Sequence, residues 1–429
     1  MNLFKPRYDY VEYESHERAP QFPLYSYAVA ALYKVFGVHD FLGRVVSALF
    51  AAASAVFLFL LASRFFDGKT AFLSGLAYCV IPLRVFFMRA FMPDSMAVFC
   101  FLAGLYFFLL WLDEEKFFPY GIAAALLLAL VPLLKIAYLW LLVAPVFYVL
   151  QTKGTSLFKR AGVWVIFGIV ASAFSGWYGW VQFGAERSAG FAGQMNKEMS
   201  LLKEWLDPGF WSAHFFSRFP ELLTTYAGLV FFAAGAWKIR RERIIFPQIW
   251  FVSTVFYILM CGMYGRVHQY VSLPFAPVNA LFIGAGMAFL WDRWRAKQAF
   301  AVLWILLVVS MPVHAVLRIK HWYKPDQAWV LRAREEVDKI SPPKDLLFVA
   351  SPHQPFFLYH LQRKGWAAPL VGRGLEAFEA SLSRDVKFLF VPLAHAGFDW
   401  PALRPSVASR YARVYAGPDF ELYDLMKKP

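Results

Sequence analysis

The stretch Phe-Met-Arg-Ala-Phe-Met-Pro-Asp-Ser-Met, residues 87–96, lies between two apolar runs, Thr70–Phe86 and Met96–Leu112. Each run is close to the roughly 20 residues that a helix needs to cross a bilayer. Arg89 and Asp94 therefore fall in a short connection at a membrane surface. Charged groups are costly near hydrocarbon and are usually kept there for chemistry, ion pairing or lipid headgroups. The pattern predicts that Arg89 and Asp94 help to form the mouth of a site for a phosphorylated lipid.

The composition of the whole chain is that of a polytopic membrane protein. Of its 429 residues, 59% are hydrophobic and only 17% are charged, and the mean hydropathy is +0.47. A soluble protein of this length would carry about a quarter charged residues. The formal net charge of +14 indicates anionic partners, which for a membrane protein are lipid headgroups rather than nucleic acid.

The sequence predicts an all-α membrane bundle of about ten transmembrane helices, followed by a small α/β domain. Residues 1–42 form an outer first loop with an interfacial helix, residues 43–317 the bundle, and residues 318–429 the α/β domain, which we expect to be extracytoplasmic. The predicted spans lie near 43–66, 70–88, 94–112, 118–133, 136–151, 161–184, 221–238, 246–263, 270–291 and 298–317. The pair around Lys135 forms either a hairpin, with Lys135 at the outer surface, or one broken helix, with Lys135 inside the membrane.

Strand patterns indicate where the α/β domain lies in the sequence, and charged loops indicate which ends of the helices face the cytoplasm. Asp345–Ser351 and Val386–Pro392 are short apolar runs with strand character, and Ala328–Ile340 has a helical pattern. Five short connections dense in Lys and Arg indicate the cytoplasmic side. They are Arg64–Lys69, Asp113–Lys116, Lys153–Arg160, Lys238–Arg243 and Asp292–Lys297.

Asp94 and Arg89 each allow a structural and a functional interpretation. Asp94 directly precedes a predicted helix, where Asp is a good N-cap; a carboxylate at a helix mouth can also act on a substrate in the aqueous vestibule. Arg89 either snorkels from a helix end or binds a phosphate through two parallel hydrogen bonds. For Lys135 the alternatives are simple snorkelling and a functional charge.

Two further clusters of polar residues precede apolar segments. Glu17 and Arg18 lead into the proline-punctuated stretch Pro20–Tyr25, and a solvated charged loop explains them as well as a site does. Arg266, His268 and Tyr270 crowd a short outer turn, which is either an interfacial aromatic belt or a contact for a diphosphate or a sugar. We interpret His268 as a hydrogen-bond donor, since no second His lies at metal-ligand spacing, and we predict no metal site. No cofactor is certain, although a divalent cation is compatible with the chemistry.

The order of several motifs resembles that of the GT-C membrane glycosyltransferases, in particular the protein O-mannosyltransferase and lipid A aminoarabinose transferase branch. The match covers about residues 20–290 in order, and the small C-terminal domain also fits. The motifs are Pro-Gln-Phe-Pro-Leu-Tyr-Ser-Tyr (20–27), Tyr-Lys-Val-Phe-Gly (33–37), Gly-Arg-Val-Val-Ser-Ala-Leu-Phe (43–50), Arg89 with Pro93-Asp94, and the Tyr-rich segment 264–274.

The resemblance implies a polyprenyl-phosphate-linked sugar donor used with inversion on the outer face of a bacterial inner membrane. The acceptor is a lipid, a glycan or a protein. An outer-loop carboxylate acts as general base on the acceptor, because a hydroxyl is a poor nucleophile until its proton is taken. Asp94 and Glu17 are the catalytic candidates. The candidates for binding the donor phosphate are the cations Arg18, Arg89, Lys135 and Arg266. His268 and Tyr270 are expected to contact the donor or the acceptor.

The start of the chain departs from the family pattern. The main catalytic Asp of the family lies in the first outer loop after a first transmembrane helix, and on this resemblance we expect the sequence to begin partway through that loop. Gln21 stands where relatives often have an acid directly before the Phe-Pro-Leu-Tyr stretch, with Glu17 the nearest carboxylate. Three explanations are open: an incomplete start, which we favour, a substitute acid among residues 9–17, or an inactive protein.

Two other classes of function remain. A non-catalytic binder or flippase of lipid-linked glycans needs the same outer cations but no base, so it gains if Asp94 only caps its helix. A secondary transporter is third, because the sequence shows little sign of internal repeats or polar midplane helices.

Overall fold

The computed structural model describes residues 21–183, 201–324, 327–351, 356–368, 376, 379, 385–396 and 400–429. The described chain divides into two compact units that separate after Tyr323. The first unit is helical throughout, and the second contains a β-sheet.

Fourteen helices of the first unit are used below. Their bounds are α1 Leu24–Phe36, α2 Asp40–Ala62, α3 Gly68–Val80, α4 Pro82–Phe87, α5 Asp94–Glu114, α6 Phe117–Leu134, α7 Ile136–Ser156, α8 Ala161–Phe183, α9 Leu201–Leu206, α10 Pro208–Thr224, α11 Tyr226–Arg241, α12 Ile245–Val267, α13 Phe275–Trp294 and α14 Gln298–Tyr323.

Within the described residues, eight helices are long and apolar enough to cross a membrane: α2, α5, α6, α7, α8, α12, α13 and α14. A ninth span results if α10 and α11, which meet at an angle of 97°, are counted as one. The polytopic membrane bundle predicted from the sequence is therefore confirmed.

Two of the ten predicted spans are interrupted. The stretch 70–88 is two short helices that separate at Ile81 and Pro82. Pro82 has no backbone N–H to continue α3, but its fixed φ suits the first position of a new helix. The stretch 221–238 contains the bend at Thr225, where the backbone turns with a φ of 69°.

Helix α13 is the centre of the bundle because its small residues let neighbouring backbones approach. Of its most apolar window, 83% is buried inside the protein, against 11% for α14. A Cβ atom added at Gly286 would lie 1.8 Å from the carbonyl oxygen of Phe231 on α11, and one at Gly284 would lie 2.2 Å from the hydroxyl of Ser74 on α3. In lipid the hydrophobic effect does not drive helices together, so van der Waals packing at such close contacts stabilises their association.

The connections predicted to be cytoplasmic lie at one end of the bundle. Three ion pairs join them across helix ends, namely Arg64 with Asp113, Lys69 with Asp292, and Arg160 with Glu115. The opposite ends of the same spans carry Asp94, Lys135 and Arg266. The charged loops and the candidate site residues are therefore at opposite ends of the helices.

The second unit is the small α/β domain that the sequence predicts. Its elements are α15 Trp329–Ile340, β1 Leu346–Ala350, α16 Phe356–Leu361, β2 Gly365–Ala368, β3 Val386–Pro392, α17 Trp400–Arg410, β4 Ala412–Ala416 and β5 Phe420–Asp424. The strand order is β2-β1-β3-β5-β4, with β1 parallel to β2 and β3, and β5 antiparallel to β3 and β4. Apolar clusters pack on both faces of the sheet, one around Val337 and Phe357, the other around Trp400 and Val407.

Candidate active site

Asp94 is a buried carboxylate at the first residue of α5, and its side chain does not cap the helix. The N-cap position is Pro93 and has no side-chain hydrogen bond, so the N-cap interpretation of Asp94 is wrong. The carboxylate instead accepts hydrogen bonds from the Lys135 Nζ and from the Tyr138 hydroxyl, each at 3.2 Å. Asp94 is 0% exposed and Lys135 is 8% exposed, so this pair is shielded from water and its attraction is strong.

Lys135 reaches Asp94 because the chain breaks between α6 and α7. Pro132 lies in the last turn of α6, and Lys135 itself is extended, with φ −149° and ψ 102°. Two hydrogen bonds hold this break: the Phe22 N–H donates to the Leu133 carbonyl at 2.9 Å, and the Tyr178 hydroxyl donates to the Pro132 carbonyl at 2.8 Å. The two spans meet at Lys135, which favours the hairpin of the two alternatives drawn from the sequence.

A cluster of aromatic side chains from the segment 264–270 covers Lys135. The Lys135 Nζ lies 4.7 Å from the centre of the Tyr270 ring, within the range of a cation–π contact. The hydroxyls of Tyr264 and Tyr270 form a hydrogen bond, and the His268 ring packs against both rings, with centres 4.6 Å from Tyr264 and 5.3 Å from Tyr270. Burial raises the pKa of the Tyr270 phenol, which therefore stays protonated and able to donate.

His268 is a neutral imidazole in this setting. Burial lowers its pKa, and the positive charges of Lys135 and Arg218 lower it further. A neutral imidazole carries one donor and one acceptor nitrogen. His268 can therefore donate a hydrogen bond at neutral pH, and its contact with a sugar or a phosphate stays a prediction.

The backbone that carries this segment turns sharply within α12. Gly262 has φ 48° and ψ −135°, a conformation that a residue with a side chain rarely adopts. Beyond it, the buried Arg218 guanidinium donates hydrogen bonds to the carbonyls of Gly265 and Arg266, which are orphan acceptors near the end of the helix. The Tyr257 hydroxyl donates to the Val271 carbonyl at 2.8 Å.

Arg266 projects from this segment but is already paired with two carboxylates. Its guanidinium forms an ion pair with Asp207 and lies 3.5 Å from Glu204. The Gly209 N–H and Arg266 together hold the pKa of Asp207 below its usual range. Arg266 is therefore a cation that a phosphate would have to share with Asp207 and Glu204.

With this geometry established, comparison with known proteins identifies the architecture. A family model described as dolichyl-phosphate-mannose-protein mannosyltransferase matches residues 18–180. The solved structure of ArnT from Cupriavidus metallidurans with bound undecaprenyl phosphate matches with a TM-score of 0.63 at 13% identity, covering 94% of this chain and 87% of that chain. The oligosaccharyltransferase AglB from Archaeoglobus fulgidus, solved with an inhibitory peptide and a dolichol-phosphate, matches with a TM-score of 0.62 at 12% identity, covering 98% of this chain and 68% of that chain. No curated protein sequence matches.

The chain has the GT-C glycosyltransferase fold. The resemblance drawn from the motifs of residues 20–290 is thereby confirmed at the level of the fold. Because the identities are low, the structural matches establish the architecture, and the roles of individual residues rest on their own geometry.

Within this GT-C fold, Arg89 is separate from the ion pair of Asp94. The Arg89 Nε donates to the Tyr323 hydroxyl at 3.3 Å, and its guanidinium lies 4.2 Å from the centre of that ring. The Phe86 ring lies 5.3 Å from the same guanidinium. In the part of the chain that the structure describes, Arg89 thus has aromatic rather than carboxylate neighbours, and no contact joins it to Asp94.

The structure brings together some of the predicted residues and adds others. Asp94, Lys135 and Tyr270 form one connected group, and His268 stacks on its edge. Glu17 and Arg18 lie outside the described residues, so their roles stay predictions. Tyr138 and Arg218 were not predicted. The signal for Tyr138 was its place three residues after Lys135, one short helical turn away, whereas the partners of Arg218 lie 47 and 48 residues along the chain.

A metal site is not formed by the residues that the structure describes. No three or more His, Cys, Asp or Glu side chains among them lie close enough to hold an ion. What the described group offers is a carboxylate, an ammonium and phenol hydroxyls in one buried place. Such a set can accept a proton, pair with an anion and orient polar ligands.

Proposed function

We propose that this protein is an integral membrane glycosyltransferase that moves a sugar from a polyprenyl-phosphate-linked donor to a lipid, glycan or protein acceptor. The observation that carries this proposal is the buried carboxylate of Asp94, which faces Lys135 instead of capping α5. The GT-C fold supports it, since ArnT was solved with undecaprenyl phosphate and AglB with a dolichol-phosphate.

In this mechanism Asp94 is the general base. The acceptor hydroxyl attacks the anomeric carbon of the sugar while Asp94 takes the hydroxyl proton. The bond between the anomeric carbon and the phosphate oxygen breaks, and its electron pair stays on that oxygen. Attack from the face opposite the phosphate inverts the anomeric centre. Glu17 is retained as a second candidate acid on the resemblance alone.

The cations serve the leaving group, whose charge grows in the transition state and needs preorganised partners. Lys135 is the cation nearest to Asp94, and Arg266 follows on the segment that covers Lys135. Arg89 and Arg18 are the outer candidates. His268 and Tyr270 offer hydrogen-bond donors to the sugar or to the phosphate. A divalent cation is not part of the mechanism that we propose.

We further propose that the site and the α/β domain face the extracytoplasmic side of a bacterial inner membrane. The loops rich in Lys and Arg lie at the end of the bundle opposite to Asp94, and such loops favour the cytoplasm. Three ion pairs that join these loops support their placement on one side.

The alternative is a protein that binds or flips lipid-linked glycans without catalysis. It would need the same cations, but it would not need a carboxylate at their centre. A buried carboxylate that only pairs with a lysine is costly to desolvate, and its presence at this place favours the enzyme.

The experiment is a transfer assay on the protein purified into lipid nanodiscs. A panel of undecaprenyl-phosphate sugars, each with a radiolabelled sugar, is offered with a membrane-lipid extract as acceptor, and release of undecaprenyl phosphate is measured with and without EDTA. We expect release from at least one donor by the wild type, and loss of about 100-fold or more in Asp94→Asn, since general bases contribute about 10²–10⁴-fold.

Asp113→Asn is the matched control. Asp113 is an exposed carboxylate at the opposite end of the same helix α5, so its loss should leave turnover unchanged. Binding of undecaprenyl phosphate without turnover of any donor, equal in wild type and Asp94→Asn, would favour the non-catalytic alternative.

A further inference from the structure

Both oxygens of the Asp94 carboxylate are engaged in the structure. The Lys135 Nζ lies 3.2 Å from each of its oxygens, and the Tyr138 hydroxyl donates to Oδ1. Because Asp94 is 0% exposed, neither oxygen is open to an acceptor hydroxyl in this arrangement. If Asp94 acts on the acceptor, one of its two partners has to leave first.

The two partners differ in their freedom to move. The ring of Tyr138 is 0% exposed and packs edge-on against Tyr257 at 5.6 Å, and the Tyr257 hydroxyl is fixed to the Val271 carbonyl. A lysine ammonium sits on a flexible four-carbon stem and can swing several ångströms without backbone motion. Its other neighbour is the face of Tyr270, a contact that costs little to break. Lys135 is thus the partner that can move.

Lys135 also has fewer carboxylate partners to leave than Arg266 has. Arg266 is already paired with Asp207 and Glu204, and three charges would have to rearrange for it to be free. Lys135 has a single carboxylate partner in the described chain, and the Tyr264–Tyr270 segment that covers it carries phenol and imidazole donors rather than carboxylates.

We propose that Lys135 passes from Asp94 to the donor phosphate when the donor binds, while Tyr138 keeps the carboxylate in place as a positioning residue. This inference rests on the proposed function and specifies the order of its steps. Without the donor the base is occupied; with the donor bound, the same movement frees the base and brings a cation to the leaving group. The phosphodiester of the donor carries one negative charge and the departing phosphate a second, so the hold on Lys135 strengthens as the bond breaks.

The exchange predicts a gain of affinity from the loss of a catalytic group. In Asp94→Asn the competitor for Lys135 is neutral, and we expect the affinity for undecaprenyl phosphate to rise at least about fivefold, the lower end of typical coupling between two sites. Lys135→Gln should lower that affinity. The double variant should bind like Lys135→Gln, because the gain depends on Lys135.

The measurement is the equilibrium binding of undecaprenyl phosphate to the purified protein in nanodiscs, with dodecyl phosphate as a short-chain probe and Asp113→Asn as the control. Equal or weaker binding in Asp94→Asn would overturn the exchange, as would a gain that persists in the double variant. No binding to the wild type would instead overturn the proposed function. If Lys135→Gln does not fold, the double variant, in which neither charge remains buried, is compared directly with Asp94→Asn and should bind more weakly.

The role of Tyr138 is tested by separating binding from turnover. Tyr138→Phe removes only the hydroxyl that donates to Asp94, so kcat should fall about tenfold while the KM for the donor stays unchanged. Tyr106→Phe, on the same helix as Asp94 but with its ring packed on Phe57 and Phe107, is the control. A Tyr138→Phe enzyme with unchanged kcat, or with kcat and KM altered together, would show that Tyr138 has only a structural role.

Discussion

Replacing Lys135 by methionine would leave the Asp94 carboxylate buried without its cation, and the bundle contains a pair of the same chemical types for comparison. Lys69 and Asp292 form an ion pair of 2.5 Å at the opposite end of the helices. Their side chains are 38% and 52% exposed, whereas those of Lys135 and Asp94 are 10% and 0% exposed. The exposed pair is the shorter one. Distance therefore predicts that Lys69–Asp292 contributes more to stability, whereas burial predicts that Lys135–Asp94 does.

Burial should decide the outcome. Removing one partner of a buried pair leaves an uncompensated charge and costs about 3–5 kcal/mol, so we expect Lys135→Met to lower the free energy of unfolding by that amount. Lys69→Met should cost at most about 1 kcal/mol, because water screens an exposed pair. The double variant Asp94→Asn with Lys135→Met should recover most of the loss, since no charge then remains buried.

The assay is equilibrium unfolding in mixed detergent micelles at pH 7, followed by tryptophan fluorescence. The four proteins of the cycle, wild type, Asp94→Asn, Lys135→Met and the double variant, give the coupling free energy of the two side chains. A Lys135→Met protein as stable as Lys69→Met, or a double variant no better than Lys135→Met, would refute the buried ion pair and, with it, the site built on that pair.

Three other predictions concern the packing, the pH response and the outer cation. Gly286→Ala places a Cβ 1.8 Å from a neighbouring carbonyl oxygen and should destabilise the protein by about 1–3 kcal/mol. Gly176→Ala, with nothing within 4 Å, should be neutral or stabilising in the same equilibrium unfolding assay. The lowered pKa of His268 means that the unfolded chain binds more protons below about pH 6.5. Stability should therefore fall as the pH drops below that value, and a melting series of His268→Gln should show a shallower fall. Arg89→Ala should weaken undecaprenyl phosphate binding about tenfold, about the value of one charge-assisted hydrogen bond; unchanged affinity would leave Arg89 as an aromatic anchor only.

The membrane bundle and the α/β domain could be predicted because hydropathy and periodicity are local properties. A run such as Met96–Leu112 is apolar whatever surrounds it, and the helix that it forms has the length of a bilayer. The strand at Val386–Pro392 was predicted with the bounds that the structure gives. The stretch predicted as one span at 70–88 is interrupted where Pro82 starts a new helix. Pro82 is a local signal for such a break, but the prediction of a single span followed the length of the apolar run instead.

The candidate charges could also be found in the sequence, because a charge next to a long apolar run stands out by its cost. Asp94, Lys135 and Arg266 were found this way. Their partners could not be found, since a hydrogen bond between side chains depends on which helix ends meet. Asp94 was expected near Arg89, five residues away, yet its cation is Lys135, which is 41 residues away along the chain.

The sequence by itself therefore determined that this protein is a polytopic membrane bundle with a small α/β domain, and which charged residues are too costly to be accidental. Only the tertiary structure decided that Asp94 faces a lysine instead of capping its helix, and that Arg266 is shared with two carboxylates. It also decided that Arg218, buried and distant in sequence, caps the end of α12. The physical reason is that the energy of a charge depends on its neighbours in space, and those are set by helix packing around the small residues of α13.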